Sequence, residues 1–269
     1  MNAYLFDVDG VLTNPQNRLI NKPELISFLV AKLQQGVPLG FISGRGMLWL
    51  RSSVVKVLEN YLSDHPGFEP KILDNVFVSG EFGGAICIHE NGLRKESINH
   101  ALIVPDEVRR GLHLVAFEFS EYVYIETEKQ TIFTVVAKST SNKEEFQMHR
   151  DEMMRAFQEV VAPYKDIEVQ TDTIAINIRN KNANKRSVTD NYLQWLKEKG
   201  MTPEKYFVFG DSPSDLEMGE ELHKQQLPFE FVYVGGQENL KSLHPAFAVT
   251  FTKENFDEGT LEFLKSHSV

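Results

Sequence analysis

Short apolar runs alternate with amphipathic stretches at both ends of the chain. Residues 3–8 and 37–42 are apolar runs separated by a helical pattern at 23–35, and the rhythm returns late, with apolar runs at 206–209 and 229–234. Continuous apolar strands that alternate with helices are typical of a parallel sheet covered on both faces. The two ends of the chain therefore predict one α/β core.

The middle of the chain has a different pattern. It predicts strands at 122–126 and 131–137, then a long helix at 143–161, then two further strands at 167–170 and 174–178. Strand pairs around a helix favour an antiparallel sheet with helices on one face.

Together the two patterns predict an α/β fold with a Rossmann-like parallel-sheet core and an inserted α+β domain. Residues 1–85 and 182–269 would form the core, and residues 86–181 would form the insertion.

Charge and composition indicate which kinds of molecule the protein could bind. The 269 residues carry a net charge of −10, which is unfavourable for a broad nucleic-acid or anionic-membrane surface. The apolar runs are shorter than the roughly 18 residues of a membrane span, and the start of the chain lacks a signal-peptide pattern. Cys87 is the single cysteine and fits a reducing compartment. We therefore expect a cytoplasmic protein that binds neither nucleic acid nor a membrane, with its oligomeric state left open.

Four carboxylates lie at the ends of two predicted core strands. Asp7 and Asp9 follow the apolar residues 4–6 of the first run, and Asp211 and Asp215 follow the run at 206–209. Because side chains alternate along a strand, the first pair projects to the same side. Such carboxylates are costly unless a cation or a phosphate chemistry needs them. An isolated D-x-D-G is also common in turns, so the interpretation depends on the other motifs.

A hydroxyl and a glycine follow the second apolar run, at Ser43 and Gly44. The hydroxyl, together with amides that glycine leaves accessible, can hold a phosphate. With Mg²⁺ between the Asp7–Asp9 pair and Asp211, one carboxylate is available as a nucleophile and the other as a general acid. The residues together favour metal-assisted phosphate chemistry.

The motifs resemble, in order, the signature of haloacid dehalogenase superfamily phosphohydrolases: D-x-D-G, a Ser or Thr after the second strand, a Lys, and G-D-x-x-x-D. Here they are Asp7–Gly10, Ser43, Lys185 and Gly210–Asp215. The insertion lies between the second and third motifs. This is similar to the subgroup that contains Cof-like and sucrose-phosphatase-like sugar phosphatases and phosphomannomutase.

The resemblance implies a role for each residue that touches the substrate. Asp7 would be the nucleophile that forms an aspartyl-phosphate, and Asp9 would protonate the leaving alcohol and then activate water. The Ser43 hydroxyl, the Gly44 amide and the Lys185 ammonium would bind the phosphate.

The same resemblance implies a Mg²⁺ site. Asp211 would bind the metal together with Asp7 and the backbone carbonyl of Asp9. Asp215 would support the metal either directly or through water, and Ser214 would lie close to the phosphate and the metal.

Two positions depart from the family pattern. Arg186 follows Lys185 where members commonly have Gly, which leaves Lys181 as a second candidate for the phosphate-binding lysine. Val11 follows the first motif where members often have Thr, which removes a hydroxyl but no carboxylate.

The resemblance thus implies a Mg²⁺-dependent phosphatase that hydrolyses a small phosphate monoester, a sugar or polyol phosphate, through an aspartyl-phosphate. A phosphosugar mutase of the phosphomannomutase type uses the same first half-reaction and is the alternative enzyme. A binding or regulatory module that keeps the fold without turnover is the non-catalytic alternative. The inserted domain would select the substrate, which the sequence does not identify.

Overall fold

The computed structural model describes residues 1–65, 69–138, 143–172, 174–236, 240 and 244–267. The chain divides into two compact units. The first comprises Met1–Ser97 and Asn184–Val269, and the second comprises Ile98–Ala183.

The described residues form twelve strands. They are β1 (Asn2–Asp7), β2 (Leu39–Ile42), β3 (Val76–Gly80), β4 (Ala85–Glu90), β5 (Leu93–Ile98), β6 (Val123–Ile125), β7 (Phe133–Ala137), β8 (Ile167–Thr171), β9 (Ala175–Asn180), β10 (Lys205–Gly210), β11 (Phe229–Tyr233) and β12 (Val249–Phe251).

The described residues also form eight α-helices. They are α1 (Pro23–Gln34), α2 (Met47–Leu50), α3 (Lys56–Ser63), α4 (Asp106–Glu118), α5 (Lys143–Val161), α6 (Lys185–Glu198), α7 (Leu216–Lys224) and α8 (Phe256–Ser266). A π-helical turn at Arg51–Val55 joins α2 to α3.

The first unit is built on an eight-stranded sheet in the order β12-β11-β10-β1-β2-β3-β4-β5, and the pairs from β12 to β3 are parallel. In this register Phe6 lies beside Phe209 and Phe41. The three rings are fully buried and stack across the sheet. Since the strands are parallel, the ends of β1, β2 and β10 meet at one edge of the sheet.

The boundary between the units falls later than the sequence predicts, because residues 86–97 belong to the first unit. Strand β4 pairs antiparallel with β3, and β5 extends the sheet beyond it. Asn91 and Gly92 form the tight turn between β4 and β5, where both have positive φ. Asp74 accepts hydrogen bonds from both turn amides, at 2.9 and 2.8 Å. The exposed edge strand β5 carries mostly polar residues and therefore lacks the apolar signal of a core strand.

The second unit is a four-stranded sheet in the order β6-β7-β9-β8, and all its pairs are antiparallel. Phe133 and Val135 from the sheet share a core with Leu112 of α4 and Phe157 of α5. The helix predicted at 143–161 is present with those bounds, whereas the sequence did not predict α4. The predicted fold class, a parallel-sheet core with an inserted α+β domain, is confirmed.

Among the described residues, no helix combines the length and the apolarity that crossing a membrane requires.

Candidate active site

Lys185 is a buried lysine that joins two of the predicted carboxylates. Its ammonium lies 2.5 Å from Asp7 Oδ1 and also donates to Asp215 Oδ1. The exposed side-chain fractions are 5% for Lys185, 8% for Asp7 and 0% for Asp215. Because buried charges are tolerated only when paired, these three residues form one ionic cluster.

The backbone that carries Lys185 is fixed at the first turn of α6. The Asn184 side chain accepts a hydrogen bond from the Ser187 amide at 2.9 Å, and the Glu217 carboxylate accepts one from the Lys185 amide at 3.0 Å. These amides would otherwise lack partners at a helix N-terminus. Lys181, the second candidate, is an exposed residue after β9 in the second unit, and Lys185 is a lysine in direct contact with two of the predicted carboxylates.

Asp215 organises the turn after β10. Its Oδ2 accepts hydrogen bonds from the Asp211 amide at 3.0 Å, the Ser212 amide at 2.8 Å and the Ser212 hydroxyl at 2.7 Å. Its Oδ1 accepts from Lys185. Both oxygens are therefore engaged by protein donors. Ser214 is exposed, and its hydroxyl lies 2.9 Å from that of Ser212.

Asp211 lies directly against Gly10. Gly10 has a φ of +78°, and a β-carbon at this position would overlap the Asp211 carboxylate. The glycine of the first motif is thus required by both its conformation and the close approach. Burial raises the pKa of Asp211 to about 7, and the charge of Asp215 adds to this effect. Burial also raises the pKa of Asp7, against the opposing influence of Lys185.

Asp9 is held by Arg45, a residue for which the sequence predicted no role. The guanidinium donates to both carboxylate oxygens of Asp9, and the Ser43 hydroxyl donates to the same group at 3.3 Å. The Ser43 hydroxyl also accepts from the Arg45 amide at 3.0 Å. Arg45 in turn lies over the Trp49 ring, 5.1 Å from its centroid. The arginine was visible beside Ser43 and Gly44 in the sequence, but its carboxylate partner was not.

Five of the predicted residues therefore form two groups at one edge of the sheet, and the chain segment from Asp7 to Asp9 connects the groups. Lys185, Asp7 and Asp215 form the first group. Asp9 and Ser43 form the second, at the ends of the adjacent strands β1 and β2.

The donor chemistry of the site fits Mg²⁺. The Asp7 and Asp211 carboxylates and the Asp9 carbonyl are hard oxygen donors, and Mg²⁺ commonly takes one or two carboxylates while keeping several waters. Because both carboxylate oxygens of Asp215 already accept hydrogen bonds from the protein, this residue is suited to support a metal indirectly. In the part of the chain that the structure describes, no three His, Cys, Asp or Glu side chains converge as a metal-binding group.

Comparison with known proteins identifies the family. The family model for haloacid dehalogenase-like hydrolases matches residues 77–223, which is more than half of the 269 residues. The chain therefore belongs to the haloacid dehalogenase-like hydrolase family. The expected resemblance to this family is confirmed, and the family is one of hydrolases. No curated protein matches the chain significantly.

Several solved structures share the fold. The C-terminal domain of trehalose-6-phosphate phosphatase from C. albicans is 18% identical, covers 98% of this chain and 91% of its own, and has a TM-score of 0.73. Trehalose-6-phosphate phosphatase from Aspergillus fumigatus is 20% identical. The match covers 98% of this chain and 92% of that structure's chain, with a TM-score of 0.57. IMP-nucleotidase from Plasmodium falciparum is 14% identical. The match covers 99% of this chain and 68% of that structure's chain, with a TM-score of 0.60. At these identities the likeness shows the fold alone.

Proposed function

We propose that this hydrolase is a Mg²⁺-dependent phosphatase that acts on a small phosphate monoester, a sugar or polyol phosphate, through an aspartyl-phosphate. One observation carries the proposal: Lys185 from the third motif contacts Asp7 of the first, while Ser43 of the second contacts Asp9. Residues far apart in sequence thus meet where phosphoryl transfer needs a nucleophile, a proton carrier and cationic support.

In the first half-reaction, an oxygen of the Asp7 carboxylate attacks phosphorus, and the bond to the leaving oxygen breaks. Asp9, in its protonated form, gives its proton to that oxygen, so the alcohol leaves neutral. The Ser43 hydroxyl, the Gly44 amide and the Lys185 ammonium bind the phosphoryl oxygens and offset their charge.

In the second half-reaction, Asp9 takes a proton from a water molecule, whose oxygen attacks phosphorus. The bond to Asp7 breaks, inorganic phosphate leaves, and both carboxylates return to their starting states. Mg²⁺ held by the Asp7 and Asp211 carboxylates and the Asp9 carbonyl would offset the negative charge that gathers in this site. Asp215 acts on this metal site indirectly, by holding the Asp211 backbone and Lys185.

The choice of leaving group is proposed to reside in the second unit, as expected from the sequence. Two of the structures with the same fold are named as a phosphatase of a phosphorylated disaccharide and as a nucleotidase. These names support a small phosphorylated metabolite as the substrate, and the sugar class rests on the resemblance to sugar-phosphate phosphatases.

The test is release of inorganic phosphate from an aryl phosphate and from a panel of sugar phosphates, polyol phosphates and nucleotides. Activity should require Mg²⁺ and disappear with a chelator. Asp7→Asn should lower kcat by at least about 1,000-fold, because the variant lacks the nucleophile. Asp151→Asn, at an exposed aspartate on α5, is the matched control and should retain full activity. Turnover by Asp7→Asn at the wild-type rate would contradict the mechanism.

A further inference from the structure

A short segment that begins at the last residue of β3, and that belongs to none of the motifs, has an unusual backbone. We call Gly80–Gly84 the corner. Within it, Glu81 has a φ of 53° and Phe82 a φ of 51°, so two consecutive side-chain-bearing residues are left-handed. This conformation is disfavoured for L-residues other than glycine, and a bulky residue in it is an outlier. Such strain persists only where surrounding contacts determine the conformation, and it clusters at functional sites.

The corner binds the backbone of residues 43–45, which we call the phosphate loop because Ser43 and Gly44 are the predicted phosphate-binding residues. The Glu81 amide donates to the Arg45 carbonyl at 3.0 Å, and the Phe82 amide donates to the Ser43 carbonyl at 3.3 Å. One residue before the corner, the Ser79 carbonyl accepts from the Ser43 amide at 2.9 Å. The left-handed pair therefore directs two successive amides toward the loop. These amides bind the carbonyls on both sides of the loop's central residue.

That central residue is Gly44, and the Phe82 ring covers it. A β-carbon at Gly44 would lie 2.5 Å from Phe82 Cζ, so the ring packs on the glycine backbone. A β-carbon at Gly80 would lie 2.8 Å from the Arg45 carbonyl oxygen, so the corner approaches the loop closely at a second point. Glycine by itself is conformationally free, so a ring packed against it can limit the conformations of its backbone.

The corner also lies beside α6, the helix whose first residue is Lys185. Glu81 is almost completely buried there, with 1% of its surface exposed. The loop at Ser43 and helix α6, which begins at the predicted phosphate-binding lysine, thus both adjoin the same strained corner.

We propose that Phe82 is a positioning residue for phosphate binding. Its ring holds Gly44 in one conformation, so that the Gly44 amide and the Ser43 hydroxyl face the same phosphoryl group as Lys185. The inference rests on the proposed phosphatase function and deepens it, because it names a residue outside the motifs that sets the geometry of the site. A displaced loop would bind phosphoryl oxygens poorly in the ground state and in the transition state.

The experiment compares Phe82→Ala and Phe82→Leu with the wild type, using inorganic phosphate as a competitive inhibitor and an aryl phosphate as substrate. We expect Phe82→Ala to raise the Ki of phosphate and to lower kcat/KM by ~10- to 100-fold, since small misplacements have effects of this size. Phe82→Leu keeps much of the apolar volume and should fall between Phe82→Ala and the wild type. Phe117→Ala, which removes an aromatic ring that is 77% exposed in the second unit, is the control and should match the wild type.

A double variant separates positioning from general stability. Gly44→Ala should impair phosphate binding, because its new methyl group meets the Phe82 ring. Gly44→Ala combined with Phe82→Ala removes that overlap, so its Ki for phosphate should be no higher than that of Gly44→Ala alone. A role limited to stability would lower the melting temperature and leave the Ki of the folded protein unchanged.

Two failures remain distinguishable. A wild type that neither binds phosphate nor hydrolyses any ester would overturn the proposed function. A wild type that does both, with Phe82→Ala and Phe82→Leu keeping its Ki and kcat/KM, would overturn the positioning role alone.

Discussion

The guanidinium of Arg45 engages both oxygens of Asp9, with Nε at 3.2 and 3.1 Å and Nη2 2.9 Å from Oδ1. A bidentate pair of this kind fixes the orientation of a carboxylate as well as its distance. Arg45 is itself restrained by its stacking on Trp49. The residue proposed to move protons is therefore held by an arginine from the phosphate loop.

This contact predicts how Arg45 substitutions depend on the leaving group. A good leaving group, such as an activated phenolate, departs without a proton, whereas an alkyl alcohol needs one. Arg45→Ala should therefore lower kcat/KM more for an alkyl phosphate than for an activated aryl phosphate, with the same trend as Asp9→Asn. Arg45→Lys keeps the positive charge but loses the planar guanidinium that binds both oxygens of Asp9. We expect a smaller difference in kcat/KM between the two kinds of ester for this variant.

The measurement is kcat/KM across a series of phosphate esters with leaving groups of different pKa. Arg94→Lys, in an ion pair with Glu96 on the edge strand β5, is the control for loss of a guanidinium. An equal loss for every ester in Arg45→Ala would show that Arg45 does not act through Asp9.

The buried cluster around Lys185 predicts a large effect on stability. Lys185→Met leaves Asp7 and Asp215 buried without their cation, and breaking such a pair costs roughly 3–5 kcal/mol. Lys205→Met removes a lysine that pairs with Glu230 nearer the surface, where about 1 kcal/mol or less is expected. Chemical unfolding of the metal-free variants gives both values. A similar small loss in the two variants would mean that the buried cluster contributes no more than a surface pair.

The raised pKa of Asp211 predicts the pH dependence of stability in the metal-free protein. Its pKa shifts from an ordinary value of 3.8 to about 7. Between these values the folded protein binds more protons than the unfolded chain, so this group stabilises the fold less as the pH rises. The unfolding free energy of the wild type relative to that of Asp211→Asn should therefore fall from about pH 4 to about pH 7.

Denaturant unfolding in the presence of a chelator, at several pH values, measures this difference. Comparison with the variant is needed because burial lowers the pKa of His89 from 6.5, and this residue contributes the opposite slope. Since both proteins keep His89, its contribution cancels in the difference. Parallel stability profiles for the wild type and Asp211→Asn would contradict the prediction.

The sequence predicted the elements whose signal is local. The helix at 143–161 follows from its spacing of apolar residues, and the strand that ends at Asp7 and the strand that precedes Asp211 follow from short apolar runs. Helices and buried strands repeat these patterns within a few residues, so the pattern alone defines them. The family resemblance followed in the same way, from the order of four short motifs.

Some elements were missed. Strand β5 is polar and lies at the sheet edge, so only its pairing with β4 places it in the first unit. Helix α4 was missed although its local signal is present, because the buried residues Val108, Leu112 and Ala116 recur at helical spacing.

By itself, the sequence determined the fold class, the family and the types of reactive group. Only the tertiary structure decided which groups meet: Lys185 with Asp7, Arg45 with Asp9, and the Phe82 ring with Gly44. The physical reason is that these contacts join residues distant in sequence, through the register of parallel strands and the sign of φ at the corner. The local pattern of hydrophobic and polar residues predicts neither the strand register nor the sign of φ.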